Sequence, residues 1–120
     1  MVETLTDNNY TTELGKNRIS VVKVHANWCG PCKFLKSHYN RWSDTFKVYN
    51  DTEIKYYELD NDKNKKFTGE YKVKHLPSML FFVYGVHIFT IRGMTRSKIF
   101  EELLQKTLDI KFEIKEEDNE

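Results

Sequence analysis

Ile19-Ser-Val-Val-Lys-Val-His-Ala-Asn-Trp-Cys-Gly-Pro-Cys32 is the stretch on which the fold turns. Its first part, Ile19 to Val24, is β-branched and almost continuously apolar, the pattern of a central strand covered on both faces. The run stops at Ala26-Asn27, and Trp28-Cys29-Gly30-Pro31-Cys32 follows at once. From Cys32 onward, Leu35, Tyr39, Trp42, Phe46 and Tyr49 recur at helical spacing, so the spacing predicts an amphipathic helix with these side chains on one face. Proline is tolerated in the first turn of a helix, where its missing amide would have had no partner. The cysteines therefore stand at a strand-to-helix junction.

Outward from this core the pattern continues. Asp7 to Leu14 reads as a short opening helix, ended by Gly15 in the left-handed terminal conformation. Ile54 to Leu59 is a second strand that runs into the polar cluster Asp60-Asn61-Asp62, and Lys63 to Tyr71 reads as a polar surface helix. Ser78 to Val83 and Val86 to Ile91 flank Tyr84-Gly85 as an antiparallel hairpin. Thr95 is placed to cap a last helix with the stripe Ile99, Phe100, Leu103, Leu104 and Leu108. After the opening helix the order is β-α-β-α-β-β-α, an α/β fold with helices on the faces of a sheet. Residues 1–108 read as one domain. The tail, 109–120, alternates Ile110, Phe112 and Ile114 with charges before turning acidic, so it reads either as an extra strand or partner contact or as a frayed terminus.

Composition narrows the function. A chain of 120 residues can bury a core without staples, and a 14% share of aromatic rings supplies the bulk. Nineteen basic against eighteen acidic residues, a net charge of +1, argue against general nucleic-acid binding. The first twenty residues show no basic region followed by an apolar core, so no secretory signal is expected. The most apolar stretch, Met79 to Ile91, is interrupted by Gly85 and His87 and is too short to cross a bilayer. Two cysteines are too few for a secreted disulfide framework. Neither membrane nor nucleic acid is an expected partner, and the expected compartment is the cytoplasm.

The cysteine pair carries the chemistry. Cys29 at a helix N-terminus lies by free amides and the positive end of the helix dipole, which stabilise a thiolate and lower its pKa. Cys32, one turn deeper, is expected to be the more sheltered sulfur, placed to attack a mixed disulfide formed on an exposed Cys29. Three other readings stand beside this one. Half of a zinc site would draw on His25, His38 or His75, none of which stands at ligand spacing, so no metal is expected. The cysteines could form an inert structural bond, or they could be incidental in a fold kept for binding.

At these residues the sequence resembles the thioredoxin family. Besides Trp28-Cys29-Gly30-Pro31-Cys32, the resemblance rests on Leu5-Thr6-Asp7, Asp62, Tyr71-Lys72-Val73, Leu76-Pro77-Ser78, Gly85 and Gly93. It implies a thioredoxin fold, a central mixed sheet of four to five strands flanked by helices, with a cis bond before Pro77 beside Cys29. It implies that Cys29 attacks a protein disulfide and that Cys32 resolves the mixed disulfide. Trp28, Gly30, Pro31, Leu76 and Gly93 would form the apolar contact surface. The Cys29–Cys32 disulfide would be reduced by a thioredoxin reductase, a flavin enzyme using NADPH, so that the protein works as a monomeric electron carrier in cell redox homeostasis with no bound cofactor. The Gly-Pro pair between the cysteines favours the reductase branch over oxidases and isomerases. The alternative is a thioredoxin-fold binding module acting independently of redox state.

Some positions depart from the family pattern. Lys23 stands where relatives bury an aspartate, and Glu58 falls where the neighbouring strand usually carries a lysine. The expectation is a swapped Lys23–Glu58 pair under the active site, since a buried unpaired lysine is strongly disfavoured. Glu58 would then accept the Cys32 proton, or Lys23 would lower the thiol pKa by its charge; alternatively Lys23 snorkels outward and neither matters. Arg92 replaces an apolar residue beside Gly93 and, with His75, Lys33 and Lys36, either forms a basic rim that steers acidic partners or is one of several scattered solvated charges. His38 is expected to be a half-buried packing residue.

Overall fold

The computed structural model describes residues 1–111. Its elements are β1 (Val2–Thr4), α1 (Tyr10–Gly15), β2 (Ile19–His25), α2 (Gly30–Thr45), β3 (Val48–Tyr49), β4 (Thr52–Asp60), α3 (Lys65–Glu70), β5 (Ser78–Val83), β6 (Val86–Arg92) and α4 (Ser97–Leu108). The sheet runs β1-β4-β2-β5-β6, and the two-residue β3 pairs antiparallel with β4. Strands β1 and β2 are parallel to β4, whereas β5 is antiparallel to β2 and β6 to β5. This is the α/β class with the mixed sheet expected of a thioredoxin fold.

The continuous apolar run of β2 is explained by burial on both sides. Ile19 and Val21 point into one core with Ile54, Tyr56, Met79 and Phe81, covered by α2 and α4 through Leu35, Tyr39, Trp42 and Phe100. Val22 and Val24 point into the other, with Tyr57, Leu59, Leu80 and Phe82, covered by Tyr10 and Leu14 of α1 and Phe67 of α3. Alternation at period two thus sorts each strand between two dry layers. Trp42 stacks on Phe100 at 4.4 Å, and its indole N–H donates to Ser97 Oγ at 2.8 Å, tying α2 to the start of α4.

The structure corrects several local expectations. Gly15 closes α1 without a left-handed φ; the positive-φ glycines are Gly85 and Gly93. Tyr84 and Gly85 both have positive φ, as a two-residue hairpin turn of the primed type requires. A Cβ on Gly85 would also come within 3.2 Å of the Gly15 backbone, so the small residues allow α1 and the hairpin to touch. Helix α2 stops at Thr45, so Phe46 and Tyr49 lie beyond it, packing edge to face at 5.9 Å on the border of the first core. Between them and β4 lies a turn at Asn50-Asp51, both with positive φ, which pairs the unforeseen β3 with β4. Strand β1 was likewise not predicted. Arg96, not Thr95, occupies the N-cap of α4, and no side chain caps it, because a guanidinium has donors but no acceptor for the free amides. Ile110 packs on the first core, while the rest of the tail reading, from 112 onward, lies outside the described residues.

Candidate active site

Strand β2 delivers the chain to Ala26, the amide of Cys29 donates to the Ala26 carbonyl at 3.1 Å, and α2 starts at Gly30 with Pro31 in its first turn. Cys29 is thereby the N-cap of a 16-residue helix. It is disulfide-bonded to Cys32 with Cα atoms 5.4 Å apart, and Cys29 Sγ accepts the Cys32 amide N–H at 3.3 Å. A sulfur capping a helix N-terminus sits in the field that stabilises a thiolate once the bond opens.

The expected contrast between an exposed and a sheltered sulfur is absent in the disulfide form. Cys29 and Cys32 are 4% and 5% exposed, because Ala26 and Leu76 pack over both. The Leu76–Pro77 bond is cis. The Pro77 carbonyl accepts the Gly93 amide at 2.8 Å, which holds the start of the β6–α4 connection against it. Trp28 stands 70% exposed, its indole N–H donating to Asp62 Oδ2 at 2.8 Å. Gly30, Pro31 and Arg92 are exposed, while Leu76 and Gly93 are partly covered. The sequence reading did not single out Phe34, 74% exposed on the first turns of α2.

Behind the disulfide the strand register brings Lys23 opposite Glu58 and His25 opposite Asp60. Lys23 does not snorkel outward. It is 2% exposed, its Nζ is 3.7 Å from Glu58 Oε2, and it lies over the Tyr39 ring at 5.2 Å. Tyr39 is fixed in turn by its hydroxyl, 3.0 and 2.7 Å from the carbonyl oxygens of Val21 and Tyr57. Burial pushes the Lys23 pKa below its ordinary value, and Glu58 opposes that shift. The pair is lopsided, since the cation is enclosed while the Glu58 side chain is 34% exposed.

A cavity of about 280 Å³ opens here, lined by Lys23, His25, Cys32, Lys33, Lys36 and Glu58 among others. Lys33 and Lys36 border the space behind Cys32, and Arg92 and His75, both exposed, do not line it. His38 is half-buried, 6.1 Å from the Trp42 ring and 2.9 Å from Arg41 through its Nδ1. Among the described residues no cluster of three or more metal-ligating side chains occurs, and no helix is long and apolar enough to cross a membrane. The reading from spacing alone missed His25 as a site residue. Its signal was positional: two residues beyond Lys23, on the same face of β2.

The family model described as Thioredoxin matches residues 1–106. Among curated relatives, the thioredoxin of Malassezia sympodialis is 29% identical over 91 residues, covering 76% of this chain and 84% of its own. Thioredoxin-1 of Drosophila yakuba is 28% identical over 98 residues, covering 82% and 88%. The rabbit (Oryctolagus cuniculus) thioredoxin is 30% identical over 83 residues, covering 69% and 74%. Solved structures agree on the fold. Malassezia sympodialis thioredoxin superposes with a TM-score of 0.76 at 24% identity, covering 88% of this chain and 93% of its own. Plasmodium falciparum thioredoxin does so with 0.76 at 22% identity, covering 88% and 98%. The redox-active group of the present chain is its Cys29–Cys32 disulfide, and its activity is the thiol–disulfide exchange that reduces disulfides in protein substrates. The chain belongs to the thioredoxin family.

Proposed function

We propose that Cys29 is the attacking sulfur and Cys32 the resolving one. Cys29 thiolate attacks one sulfur of a protein disulfide and expels the other as a thiolate. Cys32 then attacks Cys29 in the mixed disulfide, restores the intramolecular bond and frees the reduced substrate. The observation that carries this order is the capping geometry. The Cys29 sulfur accepts an amide at the N-terminus of α2, so the helix field favours its thiolate.

The substrate segment lies on Trp28, Gly30, Pro31, Leu76, Pro77 and Gly93, with Arg92 beside them attracting acidic chains. Behind the disulfide, the Lys23 charge favours the Cys32 thiolate, and Glu58 offsets the cost of enclosing that charge. A flavin-dependent reductase returns two electrons from NADPH to the disulfide, making the protein a monomeric electron carrier in cell redox homeostasis. The cytoplasm suits this work, because a reducing pool keeps such dithiols charged.

The test is turnover of a disulfide-bonded protein in the presence of NADPH and a flavin reductase. Cys29→Ser abolishes turnover, whereas Cys32→Ser accumulates a covalent adduct between Cys29 and the substrate. An adduct formed through Cys32 in Cys29→Ser would reverse the assigned order. Retained activity in the double serine variant would overturn the exchange reading itself.

A further inference from the structure

The Cys32 thiol must lose a proton before it attacks, and a cavity of about 280 Å³ lies behind it. Several titratable groups face that space. Lys33 and Lys36 on α2 border it as exposed side chains. Lys23 on β2 and Glu58 on β4 face each other at 3.7 Å, so a proton placed on that carboxylate would leave the enclosed Lys23 charge without its counter-charge. Asp60 on β4 stands opposite His25 in the register but does not line this cavity, and it accepts the Asp62 amide at 2.8 Å. His25 remains, half-buried, with its ring making no hydrogen bond among the described residues. Like Glu58, it lines both the cavity of Cys32 and a second cavity of about 450 Å³, which Asp60 and Lys63 also border.

We infer that His25 accepts the proton of Cys32 in the resolving step and passes it to solvent through the second cavity. This rests on the exchange order proposed above. The imidazole takes the thiol proton, the Cys32 sulfur attacks Cys29, the Cys29–Cys32 bond forms, and the bond from Cys29 to the substrate breaks. The substrate sulfur leaves as thiolate with the bonding pair, so it is reduced while Cys32 is oxidised. The imidazolium then releases its proton to water. Burial and the Lys23 charge hold the His25 pKa below its ordinary 6.5, while Glu58 and Asp60 pull it up and Lys36 pulls it down. A neutral imidazole is therefore available across the physiological range.

The experiment mixes reduced protein with an aromatic disulfide that releases one coloured thiolate when Cys29 attacks and a second when Cys32 resolves. The second, concentration-independent phase is followed against pH. In the unsubstituted protein its rate rises with pH to a plateau, with a midpoint below 6.5 that matches the His25 titration in proton NMR. In His25→Gln the midpoint moves to higher pH, to the ionisation of the Cys32 thiol itself, and the rate at neutral pH falls about a hundredfold, while the first phase is unchanged. Glu58→Gln keeps the limb and moves it to lower pH; Lys23→Met moves it to higher pH. A limb that survives His25→Gln, or vanishes in Glu58→Gln, overturns the inference and leaves the exchange order standing. Absence of two release phases instead breaks the exchange order. If His25→Gln does not fold, the NMR comparison on the unsubstituted protein decides: a kinetic midpoint that differs from the His25 titration overturns the assignment.

Discussion

Strands β2 and β4 share one face under α2, and the two halves of that face are built from opposite chemistry. Towards the strand starts lie Ile19, Val21, Ile54 and Tyr56, each at most 2% exposed and covered by Leu35, Trp42 and Phe100. One step further along each strand, in the same register, Lys23, His25 and Glu58 line the cavity behind Cys32, with Asp60 opposite His25. Tyr39 marks the border, with its hydroxyl on the strand carbonyls and its ring under the Lys23 ammonium. Stability and chemistry are thus divided along the strands, so a substitution in one half should leave the other half's property nearly intact.

The largest effect is expected in the apolar half. Trp42→Ala removes the stack on Phe100 and the hydrogen bond to Ser97, and leaves a large void. A loss of about 3–5 kcal/mol follows from large-to-small core substitutions of this kind. Urea unfolding measures the loss, and the reduction potential of the variant under folding conditions should stay close to that of the unsubstituted protein. A large shift in potential would show that the two halves are not separable.

The polar half answers differently. Glu58→Gln leaves the Lys23 charge enclosed with only a neutral partner, and is expected to cost about 1–2 kcal/mol. Lys23→Met removes the enclosed charge itself, fills its volume, and is expected to be neutral or to stabilise by about 1 kcal/mol. The opposite signs are the diagnostic, read from denaturant midpoints of the two single variants and their double. If both single variants destabilised equally, the pair would be a net stabiliser and not a charge kept for the site.

The same division explains what could be read without coordinates. The apolar half was legible because period-two strands and a helical stripe are local patterns, and β2 and β5 fall within a residue of their expected bounds. The junction motif placed Cys29 and Cys32, and the resemblance placed Pro77. Less legible were features made by pairing. Strand β1 has three residues, and β3 only two, held by the Asn50-Asp51 turn, too short for periodicity to register. The swapped pair emerged only through alignment to a family, and His25 needed the register that sets it beside Glu58 and Asp60. Equal covering of the two sulfurs depended on Leu76, 44 residues beyond Cys32 in the chain, folding back onto them.

A third prediction concerns pH and stability. Burial, together with Lys23, keeps the folded His25 below 6.5, and burial does the same to His87 on β6. Between the folded value and 6.5 the unfolded chain binds more protons, so stability climbs as pH rises through that window and falls as pH drops. Unfolding measured across that range should show a shallower slope in His25→Gln, and a shallower one still when His87→Gln is added. An unchanged slope would mean that neither burial nor the buried lysine depresses the His25 titration on folding.

The smallest effect tests how far the polar half reaches. Lys36 is exposed on α2, yet its charge lowers the titration of both Lys23 and His25. Lys36→Met should therefore move the His25 NMR titration upward, in the same direction as Lys23→Met but by less. Because Lys36 is exposed, counterions reach it, and at 1 M salt, where the screening length falls to about 3 Å, its effect should disappear. The Lys23 effect should persist, since an ammonium 2% exposed is hardly reached by salt. Equal salt sensitivity of the two shifts would mean that water and ions enter the cavity freely, and that the polar half is an open cleft and not an enclosed set of charges coupled to Cys32.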